Sequence, residues 1–297
     1  KKSITYKELY SLVSKAAISF KNLGLKKGDR IVGVLPNIPE AIVSMLAASS
    51  IGAIWSSCSP DFGFQGISDR FSQIEPKILI SINGYSFKGK EFDMTTKVLE
   101  INNSIKSIKH TIVIDYINSI PIIDPCLSWE SIILHSNKIE DIEFIQLPFN
   151  HPLYIMYSSG TTGKPKSIVH SAGGTLIQHL KELKYHVNLN QKDKIFYYTT
   201  CGWMMWNWLV SSLSLGATVV LYEGSPFYPR LDSLLKIVDQ NKINIFGTSA
   251  KYISFLHSSS IIPSSIGKFS FLNIILSTGS PLSEDSFEYV YKSWKKN

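Results

Sequence analysis

The chain has 297 residues, 44% of them hydrophobic and 18% charged, with a formal net charge of +7. That size buries a sizeable core with room for more than one subdomain, and the composition excludes a disordered or fibrous chain. The positive charge is scattered, which reads as a solvated surface rather than a nucleic-acid or membrane-binding face and stays compatible with an anionic small substrate.

The first element is a well-marked helix. Thr5 and Glu8 have capping-box spacing. Leu9, Leu12, Val13, Ala16, Ala17, Phe20 and Leu23 then share one helical face, and Gly24 supplies the stop. No apolar stretch follows Lys1 and Lys2, so no secretory signal is expected. Residues 30–35 form a short apolar run, broken by Pro36, Asn37 and Pro39, with a helix expected over 40–50. Further strands are predicted at 54–57, 77–82, 110–114, 194–200, 217–222, 243–248 and 273–278. Helices are predicted at 231–241, 250–258 and 283–294. Strand and helix in alternation predict an α/β protein: two α/β subdomains with largely parallel sheets flanked by helices. Residues 85–147, rich in Ile, Ser, Asn and Lys, give weaker periodicity. The segment Leu147-Pro148-Phe149-Asn150-His151-Pro152 marks an expected boundary, giving a first subdomain over 1–150 and a second over 151–297. No apolar run is long enough to cross a bilayer. Cys58, Cys126 and Cys201 lie far apart with no CxxC pair, so neither a zinc site nor a disulfide framework is expected, and a reducing cytoplasm fits best.

The strongest chemical signal is Tyr154-Ile155-Met156-Tyr157-Ser158-Ser159-Gly160-Thr161-Thr162-Gly163-Lys164-Pro165-Lys166-Ser167-Ile168-Val169-His170. Two strand-like flanks enclose a loop of small and hydroxyl residues. Small residues let backbone N–H groups approach an anion, the hydroxyls add donors, and Lys164 and Lys166 add charge, which suits a polyphosphate. It is not a Walker loop: two residues, not four, separate Gly160 from Gly163, and Pro165 follows the lysine. The loop is expected to join two strands as a phosphate clamp. A Gly/Ser/Thr loop taken alone is equally an ordinary polar turn; the whole string sets this one apart.

That string resembles the phosphate-binding signature of the adenylate-forming superfamily of acyl-CoA synthetases, peptide-synthetase adenylation domains and luciferases. Three further segments resemble the branch that activates acetoacetate. They are Thr199-Thr200-Cys201-Gly202-Trp203-Met204-Met205-Trp206-Asn207-Trp208-Leu209-Val210, Ser59-Pro60-Asp61-Phe62-Gly63 with Asp69-Arg70-Phe71-Ser72-Gln73-Ile74, and Phe246-Gly247-Thr248-Ser249-Ala250-Lys251-Tyr252. The resemblance runs from Thr5 to the last residue.

The resemblance implies the large N-terminal domain of an acid–thiol ligase. ATP activates acetoacetate as an acyl-adenylate, and coenzyme A then takes the acyl group, releasing AMP. Mg2+ and the loop would neutralise the pyrophosphate leaving group. Another short-chain acid (acetate, propionate or butyrate), a carrier-loading adenylation module and a nucleotide-binding remnant without turnover are the alternatives. Ser158, Ser159, Gly160, Thr161, Thr162, Gly163 and Lys164 would hold the ATP phosphates, with Thr161 and Lys166 in catalytic roles. Gly279, Ser280 and Pro281 match the adenine segment, where many relatives carry Glu at the place of Ser280. Trp203, Met204, Met205, Trp206 and Asn207 would line the acid pocket; aromatic residues at this spacing are as readily helix core. No protein metal ligands are expected. Cys201 is not expected to act as a nucleophile, because the coenzyme brings its own thiol. His151 and His170 read as structural, and Asp61 and the Asp69–Arg70 pair as local caps and ion pairs, with a coenzyme A contact by Arg70 as the alternative. The family's later acidic and aromatic motif, ribose-binding aspartate, hinge and small domain with a catalytic lysine do not occur before Asn297. The chain by itself is therefore expected to lack a complete active site.

Overall fold

The computed structural model describes residues 2–135, 141–158 and 163–295. The chain packs as two compact units. The first comprises residues 1–86, 90–177 and 200–202; the second comprises 87–89, 178–199 and 203–297. No described helix is long and apolar enough to cross a membrane.

In chain order the first unit supplies α1 (Tyr6–Asn22), β1 (Arg30–Val34), α2 (Pro39–Ser50), β2 (Ile54–Cys58), α3 (Phe64–Phe71) and β3 (Ile78–Ile82). A short ribbon follows, β4 (Gly84–Phe87) with β5 (Lys90–Asp93). Next come α4 (Thr95–Ser104), β6 (His110–Ile114), β7 (Leu127–Ser128), α5 (Trp129–His135), β8 (Pro152–Tyr157), β9 (Ser167–Ser171) and α6 (Ala172–Lys181), the last of which ends beyond the unit's limit. Seven strands form one sheet in the order β7-β6-β3-β1-β2-β8-β9, parallel throughout except at the antiparallel β8–β9 pair. The central strands β1, β2 and β3 are buried on nearly every residue, which is why they read as continuous apolar runs rather than as alternation.

The predicted α1 cap is present. Thr5 Oγ1 accepts from the Glu8 N–H and the Glu8 carboxylate accepts from the Thr5 N–H. Gly24 takes φ +83° past the helix end, and the Leu25 N–H reaches back to the Phe20 carbonyl, a Schellman closure that a side chain there would strain. The strands predicted at 30–35, 54–57, 77–82 and 110–114 all occur, within a residue at each end. Residues 85–147, weak in periodicity, hold a ribbon, a helix, a full strand and a two-residue edge strand with its helix.

The second unit contains a π-helical turn (Glu182–His186), β10 (Lys194–Tyr197), α7 (Met204–Ser211), β11 (Thr218–Val220), α8 (Ser233–Gln240), β12 (Ile245–Ser249), α9 (Ala250–Ser258), α10 (Pro263–Ile266), β13 (Ile274–Thr278) and α11 (Glu284–Ser293). Its sheet is wholly parallel, in the order β11-β10-β12-β13. Two apolar clusters form its core, one around Phe196, Phe246, Tyr252 and Trp294, the other around Leu183, Tyr197, Trp208 and Leu209. The strands expected at 194–200 and 217–222 are shorter than their apolar runs, because the ladder with β12 stops at Tyr197 and that between β10 and β11 at Val220.

The division between units differs from a boundary at 150/151. β8 and β9 follow the Leu147–Pro152 segment yet complete the first sheet, so the crossing into the second unit comes at Ile177. The proline-rich segment turns the chain without ending the sheet: the Gly173 N–H bonds the Phe149 carbonyl and the Ala172 N–H bonds that of His151.

Candidate active site

In the first unit β1, β2, β3, β6 and β8 run the same way, so their carboxyl ends share one edge of the sheet. Open parallel sheets bind ligands at that edge. The loop after β8 starts there. Tyr157 pairs with Ser167, Met156 with Ile168 and Ile155 with Val169, so the loop is the tip of the expected hairpin. Its base is closed twice: the Ser158 N–H donates to the Lys166 carbonyl at 3.0 Å, and the Lys166 N–H donates to Ser158 Oγ at 3.1 Å. Ser158 and Lys166 are thereby brought together, and the side chains of Lys164 and Lys166 are exposed. Ser159, Gly160, Thr161 and Thr162 lie outside the described residues.

The base of this hairpin rests on the turn after β2 and on α3. Ser56 Oγ donates to the Ile155 carbonyl at 2.8 Å. The Arg70 guanidinium lies over two rings, 4.9 Å from the centroid of Phe62 and 5.7 Å from that of Tyr157. It also donates to the Gly66 carbonyl at 2.7 Å. Lys97 holds the turn from below, donating to the carbonyls of Pro60 and Phe62 at 2.9 and 3.0 Å. Burial pulls its ammonium below the ordinary lysine range against the opposing charge of Asp61. Burial also raises the Tyr157 phenol, and it pushes the Cys58 thiol up to about 12, outweighing the nearby Arg70. Cys58 is therefore no nucleophile at neutral pH. Cys201 is buried, with its Sγ on the Pro36 carbonyl at 3.2 Å.

Asp69 makes the expected local contact, accepting from Gln65 at 2.8 Å, and adds a distant one, an ion pair with Lys164 at 3.6 Å. One turn later Gln73 bonds the returning arm of the loop at Pro165 and Ser167. In the sequence Gln73 stands out only as part of the family-like segment Asp69 to Ile74, because its partners lie more than 90 residues away. His151 and His170 have structural surroundings. His151 Nε2 is 3.0 Å from the Gly52 carbonyl oxygen, and the His170 ring sits 5.1 Å from that of Tyr154.

In the second unit β10, β12 and β13 likewise end together, at Tyr197, Ser249 and Thr278. Gly279, Ser280 and Pro281 leave β13 at that edge and are exposed, with Gly279 at φ +94°. Trp203 caps the amino end of α7 and is 58% exposed, whereas Trp206 is 0% exposed and Asn207 3%. Asn207 Nδ2 donates to the Trp203 carbonyl at 3.4 Å, and Met205 packs on the cluster around Trp208. Of these five residues, Trp203 offers the most surface to a ligand, and Trp206 fits the alternative of helix core.

A family model described as AMP-binding enzyme matches residues 1–296. The chain belongs to the AMP-binding enzyme family. It is 48% identical to the acetoacetyl-CoA synthetase of Gallus gallus over 99% of its own length and 45% of that protein. It is 45% identical to the acetoacetyl-coenzyme A synthetase of Rhizobium meliloti (strain 1021), over 98% of this chain and 45% of that one. A solved structure, acetoacetyl-CoA synthetase from Streptomyces lividans, matches with a TM-score of 0.93 at 40% identity, covering 99% of this chain and 45% of that one. The chain thus spans less than half the length of these relatives, and its α/β architecture is that of adenylate-forming enzymes. In an AMP-binding enzyme a hairpin tip carrying two exposed lysines at the carboxyl edge of a parallel sheet is chemically suited to a polyphosphate.

Proposed function

We propose that the protein to which this chain belongs ligates acetoacetate to coenzyme A at the expense of ATP, by way of an acyl-adenylate. The single observation that carries this is the hairpin: a loop of the family's phosphate-binding sequence, tied at its base by Ser158 and Lys166, at the carboxyl edge of the first sheet. Relatives named acetoacetyl-CoA synthetase, similar over nearly the whole chain, support the choice of acid.

A free carboxylate is a poor electrophile, so the reaction needs two displacements. A carboxylate oxygen of acetoacetate attacks the α-phosphorus of ATP, the bond to the bridging oxygen breaks, and pyrophosphate leaves with the electron pair. Lys164, Lys166 and Ser158 are assigned to steady the charge building on that leaving group, the lysines by positive charge and Ser158 by its hydroxyl donor. Thr161 is assigned to the same task. The thiolate of coenzyme A then attacks the acyl carbon and AMP departs. Gly279, Ser280 and Pro281 are assigned to the adenine, and Trp203 to Asn207 to the acid, with Trp203 foremost because it is exposed. Mg2+ is assigned to the ATP phosphates, where it would neutralise part of their charge. Three free cysteines are in keeping with a cytoplasmic enzyme of small molecules.

The test is acid-dependent ATP–pyrophosphate exchange by the full-length protein, comparing acetoacetate with acetate, propionate and butyrate. Exchange mainly with acetoacetate is expected. Exchange mainly with another acid overturns the assignment of Trp203 to Asn207; none with any acid overturns the adenylation itself.

A further inference from the structure

We propose that Gln73 is a positioning residue for the phosphate loop, locking its returning arm to the end of α3. The proposal deepens the functional assignment above and rests on it for what the loop holds. Gln73 follows α3, and both ends of its carboxamide are engaged. Nε2 donates to the Pro165 carbonyl at 2.8 Å and to the Asp69 carbonyl at 2.5 Å, and Oε1 accepts from Ser167 Oγ at 3.1 Å.

The position of that arm explains why it needs a lock. Among the described residues β9 is the last strand of its sheet, with a partner on one side only. The strand ladder begins at Ser167, and Ser158 and Lys166 make the next paired contacts toward the tip among the described residues. Pro165, just beyond, has no N–H to give. Gln73 takes up its carbonyl from outside the hairpin. Asp69, one helical turn earlier, meets Lys164 through the 3.6 Å ion pair. Asp69 of α3 and Gln73 just past its end thus hold Lys164, Pro165 and Ser167. Lys164 and Lys166 flank Pro165, so fixing Pro165 restricts both charges before any phosphate arrives, which lowers the ordering cost of binding. Gln73 itself is exposed, so its bonds add little to global stability.

The test uses the full-length protein with Gln73→Ala, Ser167→Ala and the double variant. Hydrogen exchange over residues 163–170 is read without nucleotide, and the dissociation constant for Mg2+·ATP by titration. Gln73→Ala is expected to speed exchange in this segment by about fivefold or more while exchange in α1 stays unchanged, as a local opening does. It is expected to weaken Mg2+·ATP by about fivefold or more, and the double variant to be no weaker than Gln73→Ala, because the two residues act as one contact. Unchanged exchange, unchanged nucleotide affinity or fully additive losses overturn the proposal. A wild-type protein that binds Mg2+·ATP but activates no acid fells the acid assignment and leaves the lock standing. A wild type that does not bind Mg2+·ATP overturns both.

Discussion

Asn83 shows how one side chain can organise a turn. It is 2% exposed and follows β3. Its Oδ1 accepts from the N–H groups of Tyr116 and Ile117, and its Nδ2 donates to Asp115 Oδ1 and to the carbonyls of Ile117 and Ile120. Asn83→Asp keeps the acceptor, loses the donors and sets a second carboxylate against Asp115. Breaking a buried network while adding like charge is expected to cost about 3 kcal/mol or more, read as a fall in the urea midpoint at pH 7. Two glycines make a paired prediction. A Cβ on Gly247 would overlap the Tyr197 ring, which is buried and whose hydroxyl donates to the Thr248 carbonyl, so Gly247→Ala is expected to cost about 3 kcal/mol. A Cβ on Gly173 would meet the Phe149 ring, which is 62% exposed and free to swing away. Gly173→Ala, within α6, is expected to stay within about 1 kcal/mol of wild type. Equal losses at the two glycines in urea denaturation would defeat this account. In the sequence Asn83 looks like any loop asparagine, because its partners Asp115, Tyr116, Ile117 and Ile120 come from a segment more than 30 residues on. Gly247 was legible as a family-like residue, but not as the one lying beneath Tyr197.

At the level of elements, local chemistry was the legible part. The α1 capping box, the stop at Gly24 and the strand-loop-strand form of the phosphate hairpin are each written in a few neighbouring residues, and each is present. The docking of that hairpin was not legible, since Gln73 and Asp69 reach it across the fold. The hairpin also separates two kinds of effect. Lys166 is exposed, and its ammonium is assigned to the leaving group. Lys166→Ala is expected to lower the rate of ATP–pyrophosphate exchange by about a hundredfold, the scale of one lost electrostatic contact in a transition state. The urea midpoint should stay where it was, because a surface side chain of this kind contributes within about 0.5 kcal/mol. Loss of folding stability in step with activity would mean that Lys166 holds the hairpin together instead of serving the chemistry.

For the molecule as a whole, the α/β class and parallel sheets followed from alternation, whereas strand order did not. β8 joins β2 through a contact about 100 residues apart that no local pattern encodes, whereas β9 turns back on β8 as a local antiparallel hairpin. The same long-range packing buries phenols, and this gives the protein a pH dependence of fixed sign. Burial raises Tyr154 and Tyr289 to about 12 and raises Tyr157, Tyr197 and Tyr252 as well, while Cys58 rises to about 12. An unfolded phenol ionises near 10 and an unfolded thiol near 9. Below those values both states hold the proton and the groups add no pH dependence. Above them the unfolded chain ionises while the folded one does not, so unfolding gains and stability falls, most steeply between about pH 9 and 12. The urea midpoint is therefore expected to be level from pH 7 to 8 and to fall continuously from pH 9 to 11. At pH 11 the phenolate absorbance near 295 nm should be lower in the native protein than in urea, because the phenols raised by burial ionise less in the folded chain than in the unfolded one. A level midpoint to pH 11, with every phenol titrating near 10 in the native state, would mean that these rings are reached by water without unfolding.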